Sequence, residues 1–313
     1  MVKHLGLMKT KLLNMRKKLM GFARLARPAN LPTAAADILA GAAISRYFWV
    51  TDSIKYLGDN PLKLLLLVFS SVCLYAGGVV FNDVFDAKLD AAERPERAIP
   101  SGLISLQQAI IWGGILMFTG LILAFTVGVF SGIIALILVA AIFSYDAYSK
   151  QNSFFGPLNM GICRGLNLIL GMSIIGVITV WWIAIIPVLY IFAITLISRG
   201  EVHGNNKNHI VRAAVMYAIV IALITYVVAI QTNNLILTIP FLLLFVFLIF
   251  KPLLKAYRIN SPEYIKKSVI AGVLSLVVMD ACWAVGFSNW YIGLGVLLLL
   301  PLSLLLSKLF AVT

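Results

Sequence analysis

Ten apolar runs of roughly 20 residues follow one another along this 313-residue chain, and that succession constrains the fold more than any other feature. At 1.5 Å per residue, such a run wound as an α-helix crosses the ~30 Å hydrocarbon layer of a bilayer. The runs cover residues 31–49, 62–81, 106–127, 129–145, 156–176, 180–197, 210–230, 235–250, 268–287 and 290–310. They lack the strict alternation of a lipid-facing β-barrel, and hydrocarbon admits only helices or closed barrels. The predicted fold is therefore all-α, a polytopic transmembrane bundle of nine or ten helices. With 61% hydrophobic and 12% charged residues, no stretch remains for a separate soluble domain.

Charge orients the bundle. Twenty-one of the 25 Lys and Arg residues lie at the ends or in the even-numbered gaps; Arg46, Lys55 and Lys63 lie on the other side, and Arg164 sits inside a span. This bias predicts that both termini and the even-numbered gaps face the cytoplasm, with the protein in a bacterial plasma membrane. The net charge of +13 flanks apolar spans and no nucleic-acid motif accompanies it, so anionic lipid headgroups are the expected partner. Ahead of the first span, Leu5, Met8, Leu12, Met15, Leu19 and Phe22 recur every three or four residues among Lys and Arg. Residues 1–29 thus read as a basic amphipathic helix in the headgroup layer, and residues 30–313 as the membrane domain. Cys73, Cys163 and Cys282 fall in three different spans, without the spacing of a disulfide framework or a zinc site.

Two gaps carry chemistry. The first, residues 82–97, holds five of the twelve carboxylates, and the second is residues 199–207. Four crossings separate them, so both lie on the same face. In the first, Asp83, Asp86 and Asp90 are spaced three and then four apart and share one face of a helix. Three clustered carboxylates repel one another unless a cation joins them. Mg2+ suits the arrangement because it takes one or two carboxylates, keeps waters and binds substrate phosphate. Lys88, Arg94 and Arg97 offer donors either to phosphate oxygens or to the neighbouring acids Glu93 and Glu96. A solvated acidic loop is the plain alternative.

The pattern Asn82-Asp83-x-x-Asp86-x-x-x-Asp90 resembles the signature of the UbiA superfamily of intramembrane prenyltransferases. Arg27-Pro28-x-Asn30 at the entry to the first span and Tyr148-Ser149-Lys150 after the fourth extend the likeness. The segments around Arg199-Gly200-Glu201 and Cys163-Arg164-Gly165 are similar to an EboC-type branch. The resemblance implies a bundle of about nine helices in which Mg2+ bridges a prenyl diphosphate to two acidic motifs. It places Asn82, Asp83, Asp86 and Asp90 in the first motif, and Glu201 and Asn205 where the family carries a second Asp-x-x-x-Asp. Lys88, Arg94, Lys150 and Arg199 are the candidate cations for the diphosphate, and Asp83, Asp86, Arg164 and Glu201 the candidate catalytic set. The second motif keeps its spacing but only one carboxylate, and an Asn brings no charge to a metal.

Asp37, Arg164 and Asp280 fall well inside spans, away from their ends, where each is a functional candidate by default. Arg164 either reaches the diphosphate or forms a buried pair with one of the two acids. His203 and His209 are weaker candidates as base or ligand. Tyr145 and Tyr148 either stabilise a carbocation or anchor the helix at the interface. The resulting expectation is transfer of a prenyl group from a prenyl diphosphate to a hydrophobic acceptor, aromatic or lipid-like. Two alternatives are a non-catalytic transporter or binding protein for an amphipathic metabolite, and a terpene cyclase.

Overall fold

The computed structural model describes residues 15–48, 60–201 and 204–310. Positions 5, 8 and 12 of the amphipathic pattern, and His203, lie outside them. Every regular element among the described residues is helical. In chain order these are α1 (residues 15–25), α2 (Leu31–Ile44), α3 (Pro61–Phe85), α4 (Ala87–Glu93), α5 (Leu106–Val127), α6 (Val129–Ser144) and α7 (Phe155–Met172). There follow α8 (Ile185–Ser198), α9 (Lys207–Gln231), α10 (Leu235–Ile259), α11 (Pro262–Leu274), α12 (Leu276–Phe287), α13 (Trp290–Leu297) and α14 (Leu299–Leu309). Nine helical segments among the described residues are long and apolar enough to cross a membrane. Phe118, Ile236, Leu243 and Leu298 stand exposed on their outer faces, where only lipid makes such exposure favourable. The chain is an integral membrane protein.

The expected first span is shorter than its apolar run. α2 is 14 residues long, roughly 21 Å at 1.5 Å per residue, and stops where Arg46 turns into the left-handed region at φ 63°. Nearly all of it is buried, because it is the axis around which the other helices pack. Its run of Ala and Gly allows close approach: a Cβ on Gly41 would stand 2.3 Å from the Leu168 carbonyl oxygen of α7. Two apolar clusters share this axis. One joins α2 to α8–α12 around Tyr190, Tyr217, Phe245 and Trp283; the other joins α2 to α3, α5, α6 and α7.

Two further bounds differ from expectation. α10 runs on past Pro252 to Ile259, so the span expected at 235–250 is 25 residues long. The span expected at 268–287 begins at Pro262 and is divided at Ser275 into α11 and α12. The buried Tyr190 hydroxyl donates to the Gly272 carbonyl beside that break, at 2.8 Å. In α1, Phe22 meets Trp112 at 5.9 Å between ring centroids and Leu25 is buried with Val80, Ile104 and Ala109; Met15 and Leu19 are exposed.

Candidate active site

The end of α3 meets the start of α2 and the end of α6. Asp83 on α3 and Asp90 on α4 turn inward, at 9% and 4% exposure, while Asp86 at the junction is half-buried. The helical hydrogen bonds continue through the junction, from Asp86 N–H to the Asn82 carbonyl at 3.0 Å and from Asp90 N–H to the Asp86 carbonyl at 2.8 Å. The three acids therefore keep the shared face that their spacing predicts.

Each acid meets a cation from another part of the chain or of the gap. Arg27 donates from Nη2 to Asp83 Oδ1 at 2.8 Å. It does so from a left-handed backbone, φ 45°, immediately before Pro28, a strained conformation of the kind that persists at functional positions. Arg97 Nη1 bridges Asp90 Oδ2 at 2.7 Å and Asp83 Oδ1 at 3.4 Å. Lys150 pairs with Asp86. A fourth carboxylate joins them: Asp146 accepts from Asn82 Nδ2 at 2.8 Å through Oδ1. The cluster thus sets four carboxylates against three cations. Asp146 was not singled out by sequence because it lies one residue past the run at 129–145. The rule that flagged Asp37 and Asp280, an acid against an apolar span, also finds Asp146 once the span is extended to Ser149.

The remaining predicted residues are distributed as follows. Lys88 and Arg94 are exposed within the first gap, and Arg199 donates to the Ser153 carbonyl. In the second gap Glu201 is half-buried, and burial pushes its carboxyl above the usual carboxylate range while Lys266 and Arg94 pull it back. Arg94 belongs to the first gap, so the two polar gaps share one end of the bundle. Asn205 is exposed at φ 54°; its neighbour Asn206 is buried and donates to the Leu196 and Ile197 carbonyls, closing the end of α8. Tyr148 is 84% exposed, as an interfacial anchor would be.

The elevated Glu201 pKa has a signed consequence. An acid whose pKa is higher folded than unfolded binds more protons when folded, so its contribution favours the fold increasingly as pH falls toward the raised value. Glu201→Gln removes that contribution. The melting temperature of wild type relative to this variant is expected to rise between pH 7 and pH 4; a constant difference would refute the assignment.

Arg164 belongs to a different cluster, in the interior. At 7% exposure it places Nε 2.8 Å from Asp37 Oδ2 on α2 and Nη2 3.8 Å from Asp280 Oδ2 on α12, and it donates to the Thr33 carbonyl at 2.6 Å. Asn167 donates to Asp37 at 2.7 Å and accepts from Ser71 on α3. The network ties α2, α3, α7 and α12 together and commits the guanidinium to a buried pairing.

Among the described residues, no three His, Cys, Asp or Glu side chains converge tightly enough to enclose a metal ion; the acids face basic groups instead. The donor set still fits Mg2+, being built of hard oxygens from Asp83, Asp86, Asp90, Asp146 and the Asn82 amide. One of those oxygens, Asp146 Oδ2, is buried without a partner.

The family model described as UbiA prenyltransferase matches residues 38–269, most of the bundle and both polar gaps. The chain belongs to the UbiA prenyltransferase family. Among its relatives, digeranylgeranylglyceryl phosphate synthase of Methanosarcina barkeri is 35% identical over 120 residues, 38% of this chain and 42% of that protein. The synthase of the same name from Sulfurisphaera tokodaii is 30% identical over 166 residues, 51% of this chain and 59% of that protein. The chain spans about half the length of the curated relatives it matches. A solved structure concerned with digeranylgeranylglyceryl phosphate synthase in membranes superposes with TM-score 0.63 at 21% identity, covering 86% of this chain and 98% of that one. A UbiA homologue from Archaeoglobus fulgidus bound to GPP and Mg2+ superposes with TM-score 0.56 at 16% identity, covering 80% and 99%. At these identities the structural likeness is one of fold.

Proposed function

We propose that this UbiA-family chain is a Mg2+-dependent intramembrane prenyltransferase that moves a prenyl group from a prenyl diphosphate to a hydrophobic acceptor, with a lipid-like acceptor favoured. The observation that carries the proposal is the mixed cluster of Asp83, Asp86, Asp90 and Asp146 with Arg27, Arg97 and Lys150 at one end of an apolar bundle. Support comes from the Archaeoglobus fulgidus homologue with GPP and Mg2+, and from relatives whose name denotes synthesis of a prenylated glyceryl phosphate.

Mg2+, when bound, would supply positive charge to the departing diphosphate. Asn82, Asp83, Asp86 and Asp90 would hold it from the first gap, and Glu201 and Asn205 from the second. Arg27, Arg97 and Lys150, now paired with the acids, have phosphate oxygens as an alternative partner, with Lys88, Arg94 and Arg199 at the rim. Charge placed there favours departure of the allylic C–O bonding pair with the diphosphate. The acceptor then forms the new bond to the allylic carbon and gives up a proton, and the helical walls keep water from competing. The Lys and Arg bias supports a cytoplasmic position for this end, and the same reading takes the membrane as a bacterial plasma membrane, with residues 1–29 assigned to the headgroup layer and residues 30–313 to the bundle.

The test is pyrophosphate release by purified protein with Mg2+ from geranyl, farnesyl and geranylgeranyl diphosphates, with and without aromatic and glyceryl phosphate lipid acceptors. Release that requires Mg2+ and increases with one acceptor class is expected. No release from any donor would overturn transfer and favour a non-catalytic binding protein, the reading that the neutral, exposed Asn205 supports.

A further inference from the structure

The turn that continues α6 beyond Ser144 is not α-helical. Tyr145–Ser149 is wound as a single π-turn, closed by the Lys150 N–H donating to the Tyr145 carbonyl at 3.0 Å. Such turns admit an extra residue, re-aim the side chains they carry and recur at functional sites. Here Asp146 is turned inward at 3% exposure while Ala147 and Tyr148 remain exposed.

The environment of Asp146 is unusual for a structural acid. Oδ1 accepts from Asn82, but Oδ2 is buried with no hydrogen-bond partner. An orphaned buried acceptor is unfavourable, and more so when charged. The groups that face it are Asn82, Asp83 and Asp86 from α3 and its end, Lys150 from its own turn and Cys163 from α7. Lys150 is paired with Asp86, so Asp146 is the carboxylate in excess of the cluster's cations. A neutral Asn would serve Asn82 equally well; the charge and the free oxygen need another explanation.

Resting on the prenyltransferase reading, we propose that Asp146 is a further ligand of the diphosphate-associated Mg2+, supplying from α6 a negative charge that the second gap lacks at Asn205. Its free Oδ2 is the donating atom, and the π-turn is the device that brings it to the α3 acids.

Asp146→Asn retains a carbonyl oxygen for Asn82 and removes only the charge, whereas Asp146→Glu retains the charge. The measurement is Mn2+ binding by electron paramagnetic resonance to the full chain in detergent, in the presence of the non-ionising analogue farnesyl S-thiolodiphosphate. Asp146→Asn is expected to weaken Mn2+ binding at least about tenfold, with an unchanged metal-free melting temperature and recovery in Asp146→Glu. Wild-type binding in Asp146→Asn, while Asp83→Asn loses it, would overturn the role of Asp146 and leave the prenyltransferase reading intact. Equal weakening in Asp146→Asn and Asp146→Glu with a lowered melting temperature would also overturn it, as a structural effect. Mn2+ binding indifferent to Asp83→Asn would overturn both.

Discussion

Asp83→Ala and Asp86→Ala are each expected to lower Mg2+-dependent pyrophosphate release by about a hundredfold to a thousandfold, a barrier change of about 3–4 kcal/mol. The reason is electrostatic. Ionising an allylic diphosphate concentrates negative charge on the leaving oxygens, and removing one fixed element that stabilises such charge in a site closed to water typically costs two to three powers of ten. Asp83 is central in the cluster, since both Arg27 and Arg97 meet its Oδ1. Its loss leaves Arg27 without a carboxylate partner among the described residues and takes one from Arg97. Asp86 fixes Lys150, so Asp86→Ala frees that cation as well. Arg27 remains partly hydrated, so the fold survives and the effect is read in activity. Glu93→Ala, at an exposed acid in the same gap, is expected to leave release unchanged and serves as the control. Release that persists in the Asp83 and Asp86 variants would show that these acids do not hold the metal.

Arg164→Met is expected to produce the largest loss of stability, about 3–5 kcal/mol, because it leaves the buried Asp37 and Asp280 without their shared cation. Both acids are essentially inaccessible, and Asp37 Oδ1 and both Asp280 oxygens already lack hydrogen-bond partners. The guanidinium is what compensates them. Met keeps an unbranched apolar chain in place of the Arg stem and removes the guanidinium, with its charge and its hydrogen bonds to Thr33. Unfolding in SDS-containing mixed micelles reads the effect. Adding Asp280→Asn to Arg164→Met is expected to recover part of the loss by removing one of the stranded charges. Wild-type stability in Arg164→Met would mean that this trio does not bind the helices together as its geometry implies.

Much of the bundle was legible from residue order. Nine of the ten apolar runs appear as membrane-length helices, since the free energy of burying a run in hydrocarbon depends mainly on its length and composition. The exceptions have local causes. α2 ends early at the left-handed Arg46, and α10 continues through Pro252, at which a helix ordinarily stops. The break at Ser275 has no Pro to announce it, and the carbonyl of Gly272 beside it finds the Tyr190 hydroxyl, 82 residues away in the chain. In the site, Asp83, Asp86 and Asp90 were readable because their spacing is helical. Asp146 was not, because it lies one residue past the apolar run that ends at Tyr145, and the π-turn that carries it inward has no apolar signal of its own.

The residue order by itself determined the solvent, the helical class, the acidic face of α3 and the grouping of both polar gaps at one end, all consequences of composition and of periodicity within a few turns. Only the tertiary structure decided which charge meets which. Arg27 finds Asp83 across 56 residues, Asn82 finds Asp146 across 64, and Arg164 chooses the interior acids over the polar end. Those pairings depend on how closely small-residue faces such as that of α2 let neighbouring helices approach. A Coulomb interaction is set by distance in space, which separation along the chain does not encode.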